Sequence, residues 1–230
     1  MSKLVVLDLG LRDYKEVWDF QKNLHSQRVE ERIPDSLILV EHNPVLTLGK
    51  SGKLENIKIP LPLLKEKGID FYQIERGGDV TFHGPGQIVG YPIFNIKKGL
   101  AGIRIFIEKI EEAIIKTLSE FGIQGEKKAK MVGVWVDEKK ICSIGVAVKR
   151  WVSFHGFALN VNNDLGYFEL INPCGFQNIK MTSIQEILKA PVDMSEVKRH
   201  IAQSFTGVFG YSDLNFYRDI KSLTDEEIIL

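Results

Sequence analysis

Apolar positions along this chain form short β-branched runs separated by stretches of helical period. Lys3–Leu9 is dense in valine and leucine and reads as a first strand. Across Asp13–Ile33, Tyr14, Val17, Trp18, Gln21 and Leu24 recur at helical spacing opposite a charged face, the pattern of an amphipathic surface helix. Ser36–Glu41 and Val45–Leu48 follow as strands, separated by the turn residues His42-Asn43-Pro44. Leu63–Gly68 is a short helix stopped by its glycine, and Phe71–Arg76 and Ile88–Ile96 are strands. Ala101–Phe121 places Phe106, Ile110, Ala113, Ile114, Thr117, Leu118 and Phe121 on one side and predicts a long helix.

After a polar, lysine-rich loop at Gly122–Lys130, Val132–Val136 and Lys140–Val148 pair as a hairpin across Asp137-Glu138-Lys139. Ser153–Val161 is a further strand, and an irregular segment containing Asn172-Pro173-Cys174-Gly175 follows. From about residue 181 the chain is more helical: Ser183–Leu188, then Ser195–Phe209 with Val197, Ile201, Phe205 and Val208 in a stripe, then a short edge strand at Asn215–Arg218. Strands in neighbouring groups with helices between them, without strict βαβ alternation, predict an α+β fold: a mixed or antiparallel sheet flanked by helices. A length of 230 residues fits one large domain or one domain with a small appendage, and residues 1–230 are read as a single domain.

Composition narrows the class. With 44% hydrophobic and 26% charged residues the chain is an ordinary globular protein. Thirty basic and thirty acidic residues cancel, so no net field favours nucleic acid or a membrane surface. No apolar run reaches the roughly 18 residues of a membrane span, and the N-terminus reads as a strand, not a signal peptide. Two cysteines, Cys142 and Cys174, make a disulfide framework improbable and point to a reducing, cytoplasmic setting. No apolar repeat or heptad suggests an interface, and a monomer is expected.

The least ordinary stretch is Arg76–Gln87, RGGDVTFHGPGQ, whose glycines permit positive φ and close approach to a ligand or another chain. It matches neither a P-loop nor a dinucleotide-binding turn, because it runs into a strand instead of opening a helix. Cys174, between Pro173 and Gly175, is either a buried structural thiol or an accessible nucleophile. Cys142 lies inside an apolar strand, where a structural role is the better reading. Lys140 by itself is a solvated lysine at a hairpin; held near Cys174 it would stabilise the thiolate or take its proton. His83 and His155 are each conceivable partners for a cysteine. These residues lack the compact spacing of a zinc site, and no metal is expected. The clusters Lys127-Lys128-Lys130 and Lys149-Arg150 read as solvated faces, while Lys97, Lys98 and Arg104 could form a basic patch for an acidic carrier.

Read together, RGGDVTFHGPGQIVGYPIFNI, then KKICSIGVAVKRWVSFHGFALNVNNDLGYFELINPCG, with EHNPVLTLG ahead of them, resemble the lipoyl(octanoyl)transferase family in order from about Glu41 to Gly175. The resemblance implies a fold shared with biotin and lipoate ligases. It also implies an octanoyl transfer, without ATP or another cofactor, that is the first step of lipoate biosynthesis; the alternatives are an ATP-dependent lipoate or biotin protein ligase on the same fold and a non-catalytic binder of acyl chains or lipoyl domains. The donor would be octanoyl-acyl carrier protein. The acceptors would be lipoyl domains of 2-oxoacid dehydrogenase complexes and the glycine cleavage carrier protein. On matching positions, Cys174 corresponds to the acyl-bearing nucleophile and Lys140 to its proton-handling lysine. Substrate binding falls to Arg76, Gly77, Gly78, Asp79, Val80, Thr81, Phe82 and His83, to Ser143, Ile144 and Gly145, and to Gly156, Phe157 and Ala158. Cys142 stands where the family commonly has alanine and Phe157 where it has leucine; the larger ring could narrow an acyl tunnel.

Overall fold

The computed structural model describes residues 3–97, 102–172 and 179–218. Its strands are β1 (Lys3–Arg12), β2 (Asp35–His42), β3 (Val45–Leu48), β4 (Asp70–Gln73), β5 (Val80–His83), β6 (Gln87–Ile93), β7 (Glu126–Lys128), β8 (Met131–Val136), β9 (Lys139–Lys149), β10 (Val152–Asn160), β11 (Lys180–Met181) and β12 (Asp213–Tyr217). Its helices are α1 (Tyr14–Val29), α2 (Leu61–Glu66), α3 (Ile103–Ser119), α4 (Ile184–Leu188) and α5 (Met194–Phe209). The predicted elements are therefore present. The segment read as a lysine-rich loop contributes the short strand β7, and the irregular stretch before Asn172 contains a 3-10 turn at Leu165–Leu170.

The large sheet runs β12-β1-β2-β6-β10-β9-β8-β7, with β11 added to β9. Its β12–β1, β1–β2 and β11–β9 pairs are parallel and the rest antiparallel, so the sheet is mixed as expected. α3 and α5 cover one face through Phe106, Ile110, Ile114, Ile201 and Phe205, and α1 covers the other through Tyr14, Val17, Phe20 and Leu24. Burial on both faces explains why β2 and β6 are continuous apolar runs, with no polar alternation. β3 leaves β2 after Pro44 and joins a separate three-stranded sheet, β4-β3-β5, which encloses its own core of Leu46, Leu48, Leu64, Val80, Phe82 and Phe168. The chain thus turns at Asn43-Pro44 into a second sheet instead of completing a hairpin.

Close packing at the centre of the large sheet depends on glycine. Phe157 of β10 sits opposite Gly90 of β6, and its ring lies across that glycine and stacks on Phe205 at 5.4 Å. A Cβ on Gly90 would be 2.1 Å from the ring. We expect Gly90→Ala to cost about 1–3 kcal/mol by overpacking, and Phe157→Leu to return part of that loss in the double variant. Gly156→Ala is the contrast, because there a Cβ would meet the Gly90 carbonyl oxygen at 2.1 Å, an obstacle no side-chain change removes. Urea unfolding of the four variants checks both statements. Equal costs for Gly90→Ala with and without Phe157→Leu would contradict this account.

Candidate active site

A cavity of about 380 Å³ opens where the loop before β5 crosses β9 and β10. Arg76, Gly77, Gly78, Asp79, Val80, Thr81 and His83 border it from one segment, Ser143, Ile144 and Gly145 from β9, and Gly156, Phe157 and Ala158 from β10, together with Lys140. Three sequence-distant segments thus converge on one space. Phe82 does not border it: its ring stacks on Tyr167 at 4.4 Å inside the small-sheet core. Cys174 lies outside the described residues. Ile179, which follows that segment, borders the cavity.

Glycine makes the crossing possible. The Gly77 amide donates to the Val146 carbonyl at 2.9 Å, and the Arg76-Gly77 backbone passes so close to β9 that a Cβ on Gly145 would lie 2.7 Å from the Gly77 oxygen. Gly78 follows with φ +87°, which glycine adopts without steric cost. Arg76 is buried, and its guanidinium donates to the Thr47 carbonyl at 2.6 Å, to the Thr47 hydroxyl at 2.9 Å and to the Gly77 carbonyl at 3.1 Å. These bonds to backbone and hydroxyl oxygens fix the loop. Asp79 acts in the same way, since its carboxylate accepts from the Val80 amide at 2.7 Å and the Asn56 side chain at 2.5 Å. These two charged residues of the motif build the cavity wall.

Lys140 is 3% exposed, against the solvated position a hairpin lysine usually takes. Its amine lies over the Trp135 ring at 5.5 Å from the centroid, and the missing side chain of Gly133 gives it room, since a Cβ there would stand 2.5 Å from Lys140 Cε. β11 pairs alongside, with Met181 opposite Lys140, and the Thr182 amide donates to the Lys140 carbonyl at 3.0 Å. Cys142, two residues on, is fully buried, and that burial pushes its thiol well above the ordinary range despite nearby Lys140. A thiol held protonated is inert, so Cys142 is structural.

A hydrogen-bonded chain ties the glycine-rich motif to the lysine's strand. The His83 imidazole donates through Nδ1 to Gln87 Oε1 at 2.9 Å. Gln87 donates to Asn160 at 2.9 Å, and Asn160 donates to the Thr182 carbonyl at 3.0 Å. Next to it, Tyr14 stacks on His83 at 6.0 Å, and the Tyr91 hydroxyl donates to His42 Nε2 at 2.8 Å, whose Nδ1 donates to the Arg12 carbonyl at 3.0 Å. His155 faces Glu75 at 3.3 Å and carries φ 55°, a left-handed conformation unusual for a side-chain-bearing residue in a strand. Its Nδ1 is buried without a hydrogen-bond partner.

Burial, the largest cause in each case, pulls His42 down to about 4, His83 to about 3 and His155 to about 4 from the ordinary 6.5. All three are therefore neutral at pH 7. The folded protein resists their protonation while the unfolded chain accepts it below about 6.5, so stability is complete above that pH and drains as pH falls toward 4. Between pH 6.5 and 5, where carboxylates contribute little, we expect urea unfolding midpoints to fall steadily, steepening toward at most about 4 kcal/mol per pH unit for three protons. Flat stability over that window would contradict this reading.

Several wall residues were not singled out from the sequence as site residues. Tyr14, Val89 and Tyr91 border the cavity from α1 and β6, Ile103 and Ile107 from α3, and Met131, Val132 and Trp135 from β8. Tyr14 was readable only as part of a buried helical stripe. Of the basic patch, Arg104 is already paired with Glu108 at 2.9 Å, and Lys98 lies outside the described residues.

Comparison with known proteins agrees with this geometry. The family model for the lipoyl protein ligase A/B catalytic domain matches residues 13–206. The octanoyltransferase of Dictyoglomus thermophilum is 46% identical over 92% of this chain and 90% of its own length. That of a Thermoanaerobacter species is 47% identical over 91% and 92%. Among solved structures, a Thermoplasma acidophilum lipoate protein ligase-type protein with bound lipoic acid shares the fold at TM-score 0.73 and 15% identity, over 94% of this chain and 88% of that one. The Aquifex aeolicus biotin protein ligase shares it at TM-score 0.52 and 13% identity, over 91% and 70%. With the family model spanning most of the chain and near-full-length relatives above 40% identity, this chain belongs to the lipoyl protein ligase A/B catalytic-domain family and, within it, is an acyltransferase of the octanoyltransferase group.

Proposed function

We propose that this enzyme, acting as a monomer, takes an octanoyl group from the phosphopantetheine thioester of an acyl carrier protein, holds it as a thioester on Cys174, and passes it to the target lysine of a lipoyl domain. The acceptors are the lipoyl domains of 2-oxoacid dehydrogenase complexes and the carrier protein of glycine cleavage. The observation that carries this reading is the buried amine of Lys140, bordering a cavity that all three glycine-bearing segments share.

In the first step the Cys174 thiolate attacks the donor carbonyl. A new C–S bond forms, the pantetheine C–S bond breaks, and the departing thiolate takes a proton from the Lys140 ammonium. In the second step the neutral amine of the target lysine attacks the acyl-enzyme and gives its proton to Lys140, and the Cys174 thiolate leaves. The first exchange converts one thioester to another at nearly equal free energy, and the second converts a thioester to an amide downhill. No nucleotide or other cofactor has to be spent. Backbone N–H groups around the nucleophile would hold the oxyanion of both tetrahedral intermediates. The acyl chain is held by the apolar part of the cavity, with Val89, Ile144, Phe157 and Ala158, at about 0.8 kcal/mol per buried CH₂.

The direct test is mass spectrometry of the enzyme mixed with octanoyl carrier protein and no acceptor. The chain should gain one octanoyl group in place of one hydrogen, and the adduct should disappear when a lipoyl domain is added. An unmodified chain that still turns over with both substrates would exclude the covalent route.

A further inference from the structure

A second cavity, of about 590 Å³, lies beside the first, well within the roughly 300–1,000 Å³ usual for small-molecule sites. The two share Ile179 as a wall residue, and adjacent residues of β9 divide between them, Lys139 bordering the second and Lys140 the first. That division follows from the alternation of side chains along a strand. Asn172, just ahead of the segment that carries Cys174 in the sequence, also borders the second cavity.

Its walls are amphipathic. Phe168, Ile171 and Met181 give an apolar side, and Lys58, Lys139 and Lys180 bring three cations against the carboxylates of Glu169 and Glu186. Lys139 and Glu186 neutralise each other at 2.5 Å. That leaves the exposed Lys58 and Lys180 against Glu169, an excess of positive charge on a mixed lining in which Asn172 adds a polar side chain and Phe168, Ile171 and Met181 the apolar part. Phe82 belongs to this architecture: its ring packs edge-on against Phe168 at 5.9 Å and so supports the wall of the second cavity while its neighbours line the first.

We propose that this cavity receives the phosphopantetheine arm of the acyl donor, with the phosphate on Lys58 and Lys180, the dimethyl and amide portion against the apolar wall, and the thioester end directed past Ile179 toward Lys140. The assignment rests on the acyl-transfer reading above and names the part of the donor that the acyl cavity does not hold. An arm with an anion at one end, a middle that combines a dimethyl group with a hydroxyl and two amides, and a reacting carbonyl at the other matches a groove with cations, a mixed apolar and polar lining and a shared border with the reaction space.

The test compares octanoyl-4′-phosphopantetheine with octanoyl-pantetheine as donors, with product formation on a lipoyl domain as the readout. Wild-type enzyme should favour the phosphorylated donor in kcat/KM by roughly tenfold, as two exposed ion pairs allow. The double variant Lys58→Glu/Lys180→Glu should lose that preference, and Lys58→Arg/Lys180→Arg should keep it. Both positions are exposed, so folding is checked simply by an unchanged thermal melt. Equal use of the two donors by wild type, a preference that survives charge reversal, or a rise in KM for the lipoyl domain in place of the donor effect would each overturn the arm site. Failure of the acyl-enzyme itself is read separately, as the absence of an octanoyl adduct on wild type with either donor.

Discussion

Cys174→Ala is expected to lower octanoyl transfer by about 10⁴–10⁶-fold, the range seen when a catalytic nucleophile is removed. The loss should fall on kcat, because the described walls proposed to hold the acyl chain, with Val89, Ile144, Phe157 and Ala158, belong to other segments. Thermal stability should be unchanged, and the octanoyl adduct should vanish together with turnover. Cys142 provides an internal control within the same chain. It is fully buried in β9 with its thiol held protonated, so Cys142→Ala should leave both adduct and turnover in place. An adduct that survives Cys174→Ala but is lost in Cys142→Ala would reverse the assignment. A Cys174→Ala enzyme with near-normal turnover would remove covalent catalysis altogether.

The sequence carried the local parts of this picture further than the long-range ones. α3 and α5 were readable because their apolar stripes repeat every three to four residues, and the β8–β9 hairpin because its turn residues lie between two apolar runs. The glycines of the 76–87 run announced a close approach, but what they approach, Val146 and Gly145 of β9, is set by pairing some seventy residues away. Arg76 and Asp79 border the cavity, and their hydrogen bonds to Thr47, Gly77, Asn56 and Val80 also fix the loop, partners that no spacing rule reveals. Phe82 sits in the same motif and faces a different core, because consecutive residues of a strand point to opposite sides. Tyr14 and Tyr91 escaped for the converse reason. An apolar stripe identifies which face of an element is buried without identifying which distant element it meets. The burial of Lys140 was equally hidden, since it depends on β11 and Thr182 closing over the start of β9 from forty residues downstream.

That burial makes Lys140 the second informative position. Lys140→Met keeps most of the side chain's length against Trp135 and Gly133 while removing the amine. Replacing a buried charge by an apolar side chain of similar volume is often neutral or stabilising, so the variant should fold at least as well as wild type. Its kcat should nonetheless fall by about 10²–10⁴-fold, the usual contribution of a positioned general acid–base group. Two roles for the amine, electrostatic support of the Cys174 thiolate and transfer of protons, are separated by Lys140→Arg. A guanidinium retains the positive charge but does not give up a proton at any working pH. If proton transfer dominates, the arginine variant should form the octanoyl adduct but pass it on poorly, because the second step requires removal of a proton from the incoming lysine. If charge alone matters, arginine should restore both steps. The pH dependence of Cys174 alkylation reports on the thiolate directly: its midpoint should move up in Lys140→Met, where the neighbouring positive charge is lost, and stay near wild type in Lys140→Arg. A midpoint unmoved by either substitution would mean that the amine of Lys140 and the sulfur of Cys174 do not sense each other, and the paired chemistry proposed for them would fail.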